Sequence, residues 1–147
     1  MKKAMKLFAV LFTALFVLLG CAKEETATFE LKREGLVSTL VYYYKGDVVT
    51  KQTAKSEIDL KKLPISEEEA LKKFQENTDM YNSVKGVTAT QEVKDGIATQ
   101  FVTVDYTVAK LSDLKKAIPS DFSGPGDKVS FKASKEGLIK IGYTEKK

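Results

Sequence analysis

Residues 36–59 read LVSTLVYYYKGDVVTKQTAKSEID. Val37 to Tyr44 is dense in β-branched and aromatic residues, the side chains that suit a pleated surface. Lys45-Gly46-Asp47 then supplies turn chemistry, with Gly46 free to take positive φ. Val48 to about Ile58 is expected to return antiparallel to it. Leu40, Tyr42 and Tyr44 fall on one face and Val41 and Tyr43 on the other. Apolar groups on both faces predict a strand inside a sheet rather than at its edge.

The neighbouring segments extend the same pattern. Before the hairpin, Phe29 and Leu31 alternate with Glu30 and Lys32, a half-buried strand closed by a turn at Glu34-Gly35. After it, Ile65-Ser66-Glu67-Glu68-Glu69-Ala70 has the form of a capping box: Ser66 as cap, Glu69 reaching back, Ile65 stapling onto Ala70. Ala70, Phe74, Asn77, Tyr81 and Val84, with Leu71 beside them, make one mostly apolar helical stripe, and Gly86 is a natural stop. Val87–Val93 and Ile97–Tyr106 read as two more strands around a Lys94-Asp95-Gly96 turn. A short helix is expected over Ser112–Ile118, ahead of Pro119, and residues 119–127 form a loop by composition. Residues 130–142 fit either a strand on Leu138, Ile139 and Ile141 or a helix capped by Ser130 and ended by Gly142. The resulting expectation is an α+β domain: an antiparallel sheet of about five strands with helices packed on one face.

The N-terminus has a different character. Lys2, Lys3 and Lys6 precede an apolar run from Leu7 to Leu19, and charge returns at Lys23. This is the layout of a secretory signal, and the run is shorter than the ~20 residues that span a bilayer. The run ends in Leu18-Leu19-Gly20-Cys21, which resembles a bacterial lipobox and holds the only cysteine. The resemblance implies a diacylglycerol, bearing chains such as palmitate, on the Cys21 sulfur, with cleavage between Gly20 and Cys21. Residues 1–20 are then a signal peptide, 21–28 a lipidated tether, and 29–147 one domain. The body is placed on the extracytoplasmic side of a cell membrane, because two acyl chains anchor stably where one does not.

Composition narrows the chemistry. Twenty-four basic residues face twenty acidic ones, and three of the lysines lie in the signal, so the mature body is close to neutral. That argues against nucleic acid, which requires a clustered basic face. With one cysteine there is no intrachain disulfide. With no histidine the common catalytic base is missing, and zinc sites, which rest on Cys and His, have no ligands to draw on. Glu67-Glu68-Glu69 fan out around a helix and answer its dipole rather than holding a metal. No catalytic residue, metal or cofactor is assigned.

The stretches VYYYKGDVVTKQT (41–53) and FVTVDYT (101–107), with the lipobox and the capped helix between, resemble the YehR-type bacterial lipoproteins. These are small lipoproteins with no assigned biochemical function. The similarity runs along nearly the whole mature chain and is most specific at Tyr42–Lys51. It implies a helical C-terminal segment, which Gly137 opposes at a cost of ~1 kcal/mol relative to Ala. It brings no catalytic residues.

What remains is a binding feature. Tyr42, Tyr43 and Tyr44 offer flat apolar faces with polar tips, suited to a ligand or partner surface; cross-strand packing is the simpler account of them. The expected role is a non-catalytic binding or protein-interaction module of the cell envelope, with a small ligand or an envelope protein as partner. The alternative is an envelope hydrolase using carboxylate chemistry around Asp105, on the face of Phe101.

Overall fold

The computed structural model describes residues 23–147. The signal peptide, the Gly20/Cys21 cleavage site and the Cys21 lipid site lie outside the described residues.

Six strands form one antiparallel sheet: β1 (Glu25–Arg33), β2 (Leu36–Lys45), β3 (Val48–Asp59), β4 (Val87–Lys94), β5 (Ile97–Asp105) and β6 (Thr144–Lys146), in the order β4-β5-β3-β2-β1-β6. Three α-helices, α1 (Glu67–Asn82), α2 (Leu111–Ala117) and α3 (Phe131–Lys140), pack on one face, and a 3₁₀ turn, Leu60–Lys62, follows β3. The α+β architecture is the expected one, with six strands in place of about five. The sixth is three residues long and pairs Glu145 with Phe29. Its sequence, Thr-Glu-Lys, has no apolar alternation because it is an edge with little to bury.

The 36–59 hairpin lies at the centre of the sheet, as its two-faced apolar pattern requires. Leu36 pairs with Ile58 and Lys45 with Val48, with one irregularity between Tyr43 and Tyr44 that leaves Thr50 unpaired in the register. Ser38, Leu40 and Tyr42 are buried on the inner face. The expected 21–28 tether is shorter than the sequence suggests, because β1 begins at Glu25, which pairs with Tyr44. Ala27, buried at 7% exposure, opens the Ala27-Phe29-Leu31 alternation, and a methyl group between two threonines is easily read as linker.

α1 starts as predicted: Ser66 Oγ accepts from the Glu69 backbone N–H at 3.2 Å. Its buried stripe also includes Thr78, a polar residue that hydrophobic periodicity passes over. Thr78 donates to Gln91 Oε1 at 2.8 Å and accepts from Gln100 Nε2 at 2.8 Å, so the buried Gln100 is satisfied from the helix. Asn82 covers the outer edge of β4: its side chain donates to the Ala89 carbonyl at 2.8 Å and accepts from the Ala89 N–H at 2.7 Å. An unpaired strand edge invites a further strand, and here a carboxamide occupies it.

The ambiguous tail is a helix over Phe131–Lys140, after which Gly142, at φ 107°, turns the chain into β6. Among the described residues no helix lies on the opposite sheet face, and Phe101 there is 43% exposed.

Candidate functional site

The sheet's inner face is only partly filled. α1 covers β4 and β5, α3 lies near β1 and β2, and residues 119–130 cross between them as a strap. Beneath the strap is a cleft of about 740 Å³, within the ~300–1,000 Å³ common for small-molecule sites. Tyr42, Gln52 and Ser56 on the hairpin, Tyr106 after β5, Tyr81 on α1 and Tyr143 after α3 line it. A smaller hollow of about 260 Å³ adjoins it, sharing Tyr106, Leu111, Lys128 and Val129.

The polar groups lining the floor are neutral. Tyr106 Oη donates to Gln52 Oε1 at 2.8 Å, and Tyr143 Oη donates to Ser38 Oγ at 2.9 Å. Burial pushes the Tyr42 phenol up to about 12, against a weaker opposing effect of the Ser134 hydroxyl. Burial also raises Tyr106, with the neighbouring Tyr42 and Tyr81 acting in the same direction. The charges stand at the rim. Tyr81, its pKa raised by burial and then by Asp121, donates its hydroxyl to the Asp121 carboxylate. Lys115 Nζ donates to the Gly126 carbonyl at 2.8 Å and ties the strap to α2.

The structure separates the three consecutive tyrosines. Tyr42 lines the cleft, its ring 5.9 Å from that of Phe29 in an edge contact. Tyr43 is on the outer face, with Lys51 Nζ 5.2 Å from its ring centroid. Tyr44 stacks on Phe131 at 3.7 Å, with the rings 4° from parallel. Strand alternation sends neighbours to opposite faces, so a run of three cannot make one patch. The cleft tyrosines come instead from four places in the chain. Tyr81 is legible on the α1 stripe and Tyr106 by parity with Val102 and Val104, but their convergence with Tyr143 is a tertiary fact.

Asp105 closes β5 and is half-buried. Its Oδ1 accepts from the Thr107 N–H at 2.9 Å and the Thr107 hydroxyl at 2.6 Å. Among the described residues no group of three or more Cys, Asp or Glu is placed to hold a metal ion, and no helix is long and apolar enough to cross a membrane.

Comparisons with known proteins place the chain in a family and match its fold. The family described as "Protein of unknown function (DUF1307)" matches residues 25–144. The chain is 35% identical to the uncharacterized lipoprotein Lin0239 of Listeria innocua, over 99% of this chain and 96% of that protein. It is 36% identical to the uncharacterized lipoprotein Lmo0207 of Listeria monocytogenes, over 99% and 98%. It is 31% identical to the uncharacterized lipoprotein YehR of Escherichia coli over 71% of each chain. The NMR structure of E. coli YehR superposes with a TM-score of 0.69 at 22% identity, covering 86% of this chain and 93% of that one. An NMR structure of a Streptococcus pneumoniae protein gives 0.58 at 13% identity, covering 86% and 87%. In sequence along its whole length and in fold, this chain belongs to the DUF1307 family of lipoproteins of unknown function, the family of YehR.

Proposed function

We propose that the protein is a non-catalytic binding module, held by acyl chains on Cys21 to the extracytoplasmic side of the cell membrane, whose cleft takes a small uncharged ligand. The observation that carries this reading is the convergence of Tyr42, Tyr81, Tyr106 and Tyr143 on one concavity. A concave site lined by rings and a few fixed polar groups suits a small molecule, whereas a partner protein is met by a broad exposed apolar patch. The floor presents hydroxyls and the Gln52 carboxamide, with no ionised group to compensate a charge carried inward. A ligand bearing hydroxyl or amide groups on an apolar frame fits that lining. The absence of histidine from the chain and the use of the Asp105 carboxylate in its own turn both favour binding over catalysis.

The test is an NMR titration of the ¹⁵N-labelled body with fragments in three sets: neutral sugars and amides, carboxylates and phosphates, and amines. Neutral fragments are expected to shift the amides of Gln52, Tyr106 and Tyr143. Preferential binding of a charged set would overturn the ligand class, and no shift there with any set would overturn the cleft as a site. Mass spectrometry of the native membrane fraction should find an acylated N-terminal Cys21; an unmodified mature protein in the soluble fraction would remove the anchor.

A further inference from the structure

The lipid and the fold together fix which end of the body meets the bilayer. This inference rests on acylation of Cys21. Glu24 is already attached to the sheet, because its Oε2 accepts from Thr50 Oγ1 at 3.2 Å. Only Ala22 and Lys23 separate it from Cys21, so at ~3.6 Å per extended residue the reach from Cys21 is about 11 Å. A flexible stalk is ruled out on length alone.

The register shows what else lies at that level. One rung runs Thr26–Tyr43–Lys51–Asp105 across β1, β2, β3 and β5, and the Asp105 N–H extends it to the Gly86 carbonyl at 2.9 Å. Three of the connections at this level of the sheet are the β2–β3 turn, the α1–β4 turn and the β5–α2 loop. Each carries an exposed lysine: Lys45, Lys85 and Lys110. None of the three is in an ion pair within 4.0 Å with another of the described residues. Val48, 40% exposed, and Val108, 45% exposed, stand among them. Several acids at this end are engaged in hydrogen bonds within the fold: Glu24 with Thr50, Asp47 with Ser130 and Asp105 with Thr107. Glu25, Asp47 and Asp127 are exposed.

We infer that this end of the sheet, presenting Lys45, Lys85 and Lys110 around Val48 and Val108, is a bilayer-docking surface that meets anionic lipid headgroups. Lysines near an anionic surface are drawn to it where the potential reaches them, and the short valine side chains enter only the headgroup layer. The far end of β1, at Arg33, stands ~27 Å farther out on a strand rising ~3.4 Å per residue, so the 34–35 and 94–96 turns point to the aqueous side.

The test uses the lipidated full-length product reconstituted in phosphatidylglycerol/phosphatidylcholine vesicles carrying a headgroup nitroxide. Because Cys21 is acylated, a second cysteine can be labelled alone, with an environment-sensitive fluorophore at Lys45→Cys or Lys110→Cys and, as far-end controls, at Glu34→Cys or Lys94→Cys. Strong quenching of the first pair and little of the second is expected. Raising phosphatidylglycerol should deepen it, and Lys85→Glu should weaken it at the Lys45 site. Equal quenching at both ends, or stronger quenching at the far end, would overturn the docking surface while leaving the anchor intact. Quenching of the near pair that ignores phosphatidylglycerol content and Lys85→Glu would overturn the headgroup contact. Absence of vesicle binding, with no acyl mass on Cys21, would instead remove the anchor on which the inference stands.

Discussion

Asp47 Oδ2 accepts a hydrogen bond from Ser130 Oγ at 2.7 Å, joining the tip of the central hairpin to the start of the last helix across 83 residues of chain. Asp47 also takes the Lys132 N–H on Oδ1 at 2.7 Å and the Phe131 N–H on its own carbonyl at 2.8 Å. Ser130 Oγ in turn accepts from the Ala133 N–H at 3.1 Å. At the other end of α3, Arg33 Nη2 donates to the Ile141 carbonyl at 2.6 Å. An anion at the N-terminus and a cation at the C-terminus both complement the helix dipole. The two charged side chains come from the sheet on which the helix lies.

The first prediction concerns acid. The Lys132 backbone N–H, then the Ser130 hydroxyl, holds the Asp47 carboxyl below its ordinary value of 3.8. A depressed folded pKa gives stability that is present above the ordinary carboxylate range and lost as pH falls through the folded value. Asp47→Ala is expected to lower the urea midpoint at pH 7, and the gap to the parent protein should narrow by pH 3. A gap independent of pH would show that the charge has no part in the cap. Ser130→Ala should cost ~1 kcal/mol at neutral pH, as loss of a cap residue does.

Two glycines should respond in opposite directions to the same methyl group. A Cβ on Gly137, in the middle of α3, meets nothing within 4 Å, so Gly137→Ala is expected to stabilise by ~0.5–1 kcal/mol through helix propensity. A Cβ on Gly86, at φ 87°, would lie 2.5 Å from the Ala109 backbone nitrogen. Gly86→Ala is expected to cost more than the ~1–2 kcal/mol of the left-handed backbone alone. Equilibrium denaturation of both variants checks the contrast.

Removing the edge cover of β4 should be felt twice. Asn82→Ala leaves the Ala89 N–H and C=O without their partners. The expected loss is about 1–2 kcal/mol, since each partly buried backbone group forfeits a hydrogen bond. The bared edge should also raise the tendency to associate, read by light scattering at high concentration. A variant as stable and as monomeric as the parent would assign Asn82 no such role.

The phenols offer a spectroscopic check. Burial holds Tyr42 up at about 12 and raises Tyr81 and Tyr106 as well. Absorbance at the tyrosinate band should show less ionisation at pH 11 in the folded protein than in the same chain in urea. A raised folded pKa contributes stability below the unfolded value, lost as pH rises through the folded one. Stability should therefore fall above pH ~10, the ordinary phenol value. A full complement of tyrosinate at pH 11 without unfolding would contradict the burial of these rings.

Local chemistry already declares much of the architecture. The Lys45-Gly46-Asp47 and Lys94-Asp95-Gly96 turns, the Ser66 cap and the two-residue alternation of β2 and β5 each depend on residues within a few positions of one another. That is why the central hairpin, the capped helix and the α+β class are legible from the residues alone. Ala27 in β1 and Thr144–Lys146 in β6 are not, because their sequences are short or polar and their partners are far away. Residues 130–142 taken by themselves suit helix and strand equally, and it is Asp47, from the hairpin, that completes the helix cap.

The same division runs through the candidate sites. An anchoring motif such as Leu18-Leu19-Gly20-Cys21 is read as a contiguous string, so sequence suffices to nominate it. Tyr42-Tyr43-Tyr44 is contiguous too, yet a pleated strand scatters it over two faces and leaves one ring in the cleft. The other three rings arrive from α1, from the end of β5 and from the approach to β6. A concave site is made by residues that share space without sharing sequence, so only the packing of helices and strap on the sheet could decide which tyrosines line it.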